Sequence, residues 1–545
     1  MSTTVVAPEN TPVTTAREPL PEAGTDGSRS SERLWSGAVV LVALGVILRS
    51  WSPSALWLDE ALSVNIAKLA LGDIPEALRH DGSPPLYYLI LHGWIRVFGA
   101  GDLAVRALSG VLSIATLPLM WLAGRRLGNR TTAWSAVILL ACSPFAIRYA
   151  TEARMYSMVM LGFVLGYLAL CRALERPEAK RLVAVALVTG FLLLTHYWTI
   201  YLLALVTVLL ARRARRGPDA APARRALAAM FCGSLLFLPW LPSFLFQLRH
   251  TGTPWATRPS LGAVVGVLQE FGGGRGGAAP ISSLFLLGLA ALGLFARSLD
   301  LRRLELDVRT RPQGRALALA AVGPVAIGVV LGILTGAAFA VRYASVALPP
   351  FVLLAALGTD ALSDPKVRRR VLAVVALFGL WTGATTSLYQ RTTAREVATA
   401  IEERGSPGDV VAYCPDQLGP AVSRYLPDHF VQLTFPRGIG PERVEWVDYK
   451  KVNQAAEARP FAEMVHQRAG ANDIWMVWAP GYRTFGSNCE AVIAALEVQR
   501  PHTSRLVRVR LRFPEHPGLL RFRSSSITSG GSQGPLVLPE ASPQR

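Results

Sequence analysis

The chain has 545 residues, of which 51% are hydrophobic and 17% charged, and its mean hydropathy is positive; this is too apolar for a water-soluble protein of that length. A formal charge of +19 invites a nucleic-acid reading, but the basic residues lie in short loops between apolar runs, where they orient a membrane protein and argue against a nucleic-acid partner. The five cysteines show none of the close spacing a metal site needs, so no metal is expected.

Residues 1–33, rich in Ser, Thr, Pro and Glu, read as a disordered cytoplasmic tail, because the first apolar stretch begins only at Leu34. That stretch is a retained first span. A spanning helix takes about 20 mostly apolar residues, and such runs lie near 34–51, 103–124, 131–148, 155–174, 181–196, 197–212, 225–246, 281–297, 315–337, 344–362 and 370–388, eleven in all. Segment 86–99 is apolar but short and contains His92 and Arg96, which marks it as interfacial or re-entrant.

With 86–99 left out and the N-terminus inside, the cytoplasmic loops 124–130, 172–181, 212–225, 297–315 and 364–370 hold 23 Lys and Arg in 57 residues, against nine in 92 for the outward segments. Counting 86–99 as a span reverses this bias, so the positive-inside rule favours about 11 transmembrane helices. The expected fold is an all-α polytopic membrane domain over 34–388, in the cell membrane, with a cytoplasmic N-terminus.

Beyond Leu388 the pattern changes. Short β-rich runs at 409–415, 429–435, 474–480 and 505–513 alternate with helix-like stretches at 394–404 and 489–499, which predicts a small extracytoplasmic α/β domain over 389–523. Its Cys414 and Cys489 either pair in an oxidising compartment or stay as two thiols; sequence does not fix their distance. Residues 524–545, rich in Ser, Gly and Pro, read as a second disordered tail.

Chemistry-bearing residues collect on the outward side. Asp59 and Glu60 follow the first span in Trp57-Leu58-Asp59-Glu60; an acidic pair there serves chemistry or simply starts a helix favourably. His80 and Asp81 precede Ser83-Pro84-Pro85 and Tyr87, an ordinary loop-to-helix junction when taken alone. Arg148, Tyr149, Glu152, Arg154 and Tyr156 crowd the turn after the third span, where they bind phosphate and sugar or form an interfacial aromatic belt. His196 and Arg342 are two further outward points. Five polar points from separate spans on one face exceed what anchoring requires.

Taken in order, WLDE at 57–60, HDGSPPLYY at 80–88, RALSG at 106–110, SPFAIRYATEARMYS at 143–157 and RYASVALPP at 342–350 resemble the bacterial members of the protein O-mannosyltransferase and aminoarabinose transferase superfamily, which have the glycosyltransferase C fold. The resemblance implies a polyprenyl-phosphate sugar donor, a catalytic carboxylate in the first outer loop, matched by Asp59 with Glu60 beside it, and often an outward C-terminal domain. It also makes His80, Asp81, Tyr87, Arg148, Tyr149, Glu152, Arg154, Tyr156 and Arg342 substrate-binding candidates, and the outward His196 joins them by its position. Where some relatives carry an aspartate in the second motif, this chain has Glu152 and Arg154 instead.

The expected activity is an inverting glycosyl transfer, of mannose or another hexose or pentose, from polyprenyl phosphate to an extracytoplasmic glycan, lipid or protein. A carboxylate takes the acceptor proton, arginines hold the leaving phosphate, and no cofactor beyond the lipid-linked donor is called for. The alternative is a secondary transporter or a flippase for lipid-linked sugars, which would show acids or broken helices at the midplane and internal repeats; the sequence shows neither. A membrane anchor for a sensory or assembly domain would leave eleven spans unexplained.

Overall fold

The computed structural model describes residues 26–252, 259–274, 277, 279–300, 303–307, 309–335 and 339–524. The expected tails lie outside these residues up to 25 and from 525 onward. By contacts the chain divides into Met1–Val40 and Leu41–Arg545, and all packing described below belongs to the second unit.

Helix follows helix up to Leu388. The first, α1, spans Asp26–Leu48, starting ahead of the expected Leu34, and three short helices follow: α2 (Leu58–Ala67), α3 (Ile74–Asp81) and α4 (Leu86–Phe98). Then come α5 (Asp102–Leu127), α6 (Arg130–Ala141), α7 (Pro144–Ala150), α8 (Tyr156–Glu175), α9 (Ala179–Thr195), α10 (Thr199–Arg213), α11 (Ala220–Ser234), α12 (Leu241–His250), α13 (Gly262–Phe271) and α14 (Ala279–Phe295). A small hairpin that the sequence did not announce, β1 (Ala296–Ser298) and β2 (Leu304–Leu306), leads to α15 (Pro312–Thr335), α16 (Leu348–Thr359) and α17 (Pro365–Leu388).

Among the described residues six helical stretches are long and apolar enough to cross a membrane, or seven if α6 and α7, bent by 56°, count as one. The expected runs are helical, though 131–148 is divided between α6 and α7 and 225–246 passes from α11 into α12; α9 and α14 have 17 residues and α10 has 15, short of a full span. The count of eleven is therefore carried only in part by helix length. Helix α4, at 13 residues, is as short as its sequence implied.

The bend between α6 and α7 has a local cause. Asn129 caps α6 through the amides of Thr131 and Thr132, and Ser143 caps α7 with Pro144 in its first turn. The break frees carbonyls that lipid cannot solvate, and the Arg49 guanidinium takes them, donating to Leu140 O at 2.6 Å and to Ala141 O at 2.5 Å. Elsewhere small residues let helices touch backbone to backbone. A Cβ at Gly358 on α16 would strike the Leu289 carbonyl of α14, and one at Gly293 would strike the Leu354 carbonyl, the close approach that drives helix association where water does not. Outward-facing Val183, Leu187, Phe231, Leu284, Leu334 and Trp381 stay exposed, a surface suited to lipid.

Residues 389–524 build a five-stranded sheet ordered β4-β3-β5-β7-β6, from β3 (Val410–Cys414), β4 (Val431–Thr434), β5 (Ile474–Trp478), β6 (Thr503–Val507) and β7 (Gly518–Phe522). The first three run parallel, while β7 is antiparallel to β5 and β6. Helices α18 (Ala394–Glu402) and α19 (Gly419–Ser423) cover one face; after α20 (Tyr449–Gln454), α21 (Ala458–Ala469) and α22 (Asn488–Gln499) cover the other. Alternate strand residues sort as a two-sided sheet requires: Val410, Ala412, Ile474 and Met476 pack on one face, and Val411, Tyr413, Trp475 and Val477 on the other. Cys414 and Cys489 form a disulfide with Cα atoms 5.4 Å apart, which settles the pairing that sequence left open. The run 505–513 is strand only to Val507; β7 and α21 were not foreseen.

The α/β region is not a detached appendage. Leu58 and Leu62 of α2 lie in one of its hydrophobic clusters and Ala61 in the other. The hydroxyl of Tyr425 accepts the Leu56 amide at 3.0 Å and donates to Asp102 at 2.7 Å, and Arg395 and Arg424 also pair with Asp102. Further along, Asp448 N–H donates to His250 O at 2.9 Å, tying the segment before α20 to the end of α12.

Candidate active site

The acidic pair opens α2, with both side chains in its first turn. Consecutive helix residues point about 100° apart, and here that angle divides them completely. Glu60 turns inward and is 0% exposed. Its Oε1 and Oε2 accept from Arg106 Nε at 2.7 Å and Nη2 at 2.6 Å, and Oε1 also accepts the Ala153 amide at 3.0 Å. Arg391 stands 3.7 Å away. Burial works against the charged form, but Arg106, Arg391 and the Ala153 amide outweigh it and hold the carboxyl at about 2. Glu60 is a locked anion.

Asp59 turns outward, into a cavity of about 1160 Å³. Its Oδ2 lies 3.3 Å from Arg342 Nη2. Arg154 approaches from the start of α8 and donates from Nη1 to Ser63 Oγ at 2.9 Å and to Tyr88 OH at 3.0 Å. Tyr88 donates on to Asp81 Oδ2 at 3.1 Å, and burial pushes the Asp81 carboxyl up. His196 receives the Trp198 amide on Nδ1 at 3.2 Å, and its ring lies 5.4 Å from that of Tyr343, the residue after Arg342. Thus Asp59, Asp81, Arg154, His196 and Arg342, distant in sequence, share one cavity wall.

The cavity has two characters. Ile200, Tyr201, Leu248, Gly328 and Leu331 make an apolar stretch between α10, α12 and α15, whereas Lys450, Lys451 and Gln454 of α20 form a polar wall supplied by the α/β region. Sequence reasoning missed this wall, and also Gln247, whose Nε2 donates to Leu78 O at 2.7 Å and whose Oε1 accepts from Tyr197 OH. No local motif surrounds these residues, so only tertiary packing reveals them.

The other candidates do not line the cavity. Arg148 is ion-paired with the buried Glu152. Tyr87 is buried with its hydroxyl on Ser109 Oγ at 3.3 Å, and Tyr149 and Tyr156 pack ring to ring at 4.8 Å. His80 faces the α/β region instead, with Nδ1 2.8 Å from Glu445 and Nε2 3.2 Å from Glu76. Among the described residues no group of three or more His, Cys, Asp and Glu side chains is placed to hold a metal ion.

Residues 82–242 match the family model for dolichyl-phosphate-mannose-protein mannosyltransferase, less than half of the chain. No curated protein matches the sequence. The fold is similar to that of ArnT from Cupriavidus metallidurans in the apo state, with a TM-score of 0.58, 14% identity, and coverage of 92% of this chain and 100% of that one. The same protein bound to undecaprenyl phosphate gives 0.55, 14%, 93% and 100%. Arabinofuranosyltransferase AftD from Mycobacteria gives 0.51, 13%, 91% and 40%. At such identities the likeness is one of fold, and that fold is the glycosyltransferase C fold implied by the ordered motifs.

Proposed function

We propose that this glycosyltransferase C-fold protein moves a sugar from a polyprenyl-phosphate donor to an acceptor hydroxyl at the outer membrane face, with Asp59 as the base. The observation that carries the reading is the carboxylate of Asp59, set against Arg342 and sharing with Arg154 a cavity that is also lined by an apolar stretch. The prenyl tail occupies the apolar stretch, and the phosphate lies against the two guanidinium groups, whose donors suit its oxygens. The acceptor oxygen attacks the anomeric carbon as its proton passes to Asp59. The new C–O bond forms while the old C–O bond to phosphate breaks, its electron pair leaving with the phosphate, and a single in-line displacement inverts the centre. Arg154 and Arg342 stabilise the charge that develops on the leaving group.

The relatives support the donor class, since one was solved with undecaprenyl phosphate and the family model names a dolichyl-phosphate sugar. The concentration of Lys and Arg in loops on one side supports a cytoplasmic N-terminus and an exported α/β region, and the Cys414–Cys489 disulfide suits an oxidising compartment. The test is to incubate membranes containing the protein with labelled polyprenyl-phosphate sugars and identify the product. Transfer dependent on Asp59 is expected; absence of transfer from every polyprenyl-phosphate hexose and pentose overturns the reading.

A further inference from the structure

Buried 3% exposed in the segment between β6 and β7, Glu515 reaches from the α/β region into the turn that presents Asp59. Its Oε1 accepts the amide of Leu58, the residue before Asp59, at 3.2 Å across 457 residues of sequence. A backbone link holds it there: its own amide donates to Arg391 O at 3.0 Å, within a parallel bridge to Thr392. The same strap is tied to the catalytic loop a second time, because the Arg391 amide donates to Ser54 Oγ at 2.9 Å. The first amides of a helix lack partners within it, and at α2 the N-cap residue, Trp57, supplies no side-chain bond. Glu515 fills that role from a distance.

We propose that Glu515 is a positioning residue for the Asp59 base, its carboxyl anchoring the first turn of α2 so that Asp59 keeps its place opposite Arg342. The inference rests on Asp59 being the base. Burial, with Asp59 and Glu60 adding to it, pushes the Glu515 carboxyl up to about 8, so at neutral pH it carries its proton and glutamine reproduces its shape and charge. The charged and titratable groups facing it are Asp59 and Glu60 from α2 and Tyr482 from the α/β region.

The test compares Glu515→Ala, Glu515→Asp and Glu515→Gln in the full-length protein in membranes. Loss of one buried hydrogen bond at the turn lowers kcat about tenfold. That loss is expected in the Ala variant and in the Asp variant, whose shorter arm cannot reach the Leu58 amide, with donor KM unchanged and Gln within about twofold of wild type. Amide exchange over residues 56–62 should rise in Ala and Asp but not in Gln. Wild-type kcat and exchange in Asp, or a Gln variant as impaired as Asp, overturns the proposal even if Ala fails to fold. Asp59→Asn, run alongside, keeps the two readings apart: if it stays active the base assignment falls and takes this inference with it, whereas if it is inactive and the Glu515 variants are normal, only the positioning role falls.

Discussion

The membrane helices and the α/β region solve the same packing problem by opposite means. In lipid, α14 and α16 meet through Gly293 and Gly358, backbone against carbonyl, because burying apolar side chains gains little from a solvent that is itself apolar. In the α/β region, alternate residues of β3 and β5 fill two large-side-chain clusters, with Trp475 and Trp478 almost wholly buried, because water drives the burial. The difference teaches where the site belongs. Arg154 and Arg342 come from the helical half, while the turn bearing Asp59 is packed and anchored by the other.

The sharpest way to break this picture is Asp59→Asn. It keeps the shape of the side chain but cannot take a proton, so turnover in membranes should fall by about 10²- to 10⁴-fold with the protein still inserted; near-normal turnover would remove the base. Next in size is Glu60→Gln. It leaves Arg106 and Arg391 without their buried partner, an effect of about 3–5 kcal/mol on stability, read as a lowered midpoint of thermal unfolding in detergent. Because the Glu60 carboxyl is held at about 2, below its unfolded value, its stabilisation is present at neutral pH and lost only as pH falls through the acid range toward 2.

Replacing Cys414 and Cys489 together by Ser should cost about 2–4 kcal/mol, and the loss should show in protease sensitivity of residues 394–524 while the spans stay protected; equal cleavage in both regions would mean the halves unfold as one. Arg342→Lys keeps the charge but loses the planar fork, so donor KM should rise about tenfold with a smaller effect on kcat. The smallest effect belongs to Val498→Ser on α22, 86% exposed, which should stay within about 0.5 kcal/mol of wild type.

The helical half was legible because hydropathy reports directly on lipid exposure, so the apolar runs fell on helices; the number of full spans was less legible, since the short runs folded as the short helices α9, α10 and α14. The β-rich runs located β3, β4 and β5, but RLVRVRLRF at 505–513 keeps its alternation past Val507, where the chain leaves the sheet. Within the site, local motifs named Asp59, Asp81, Arg154 and Arg342, and an isolated outward position named His196. The same motifs also named Arg148, Glu152 and Tyr156, which do not line the cavity, because a motif conveys spacing and not which way a side chain turns. Nothing near Leu58 could reveal Glu515.

That 457-residue separation sets an order of manufacture. The Asp59 helix leaves the ribosome early, and the segment that steadies it is among the last to be made, tens of seconds later at ordinary rates of synthesis. Until then Leu58 and Leu62 lack the strands that cover them. A nascent or truncated chain thus presents the Asp59 turn without the late-made segment that, in the full chain, caps and covers it.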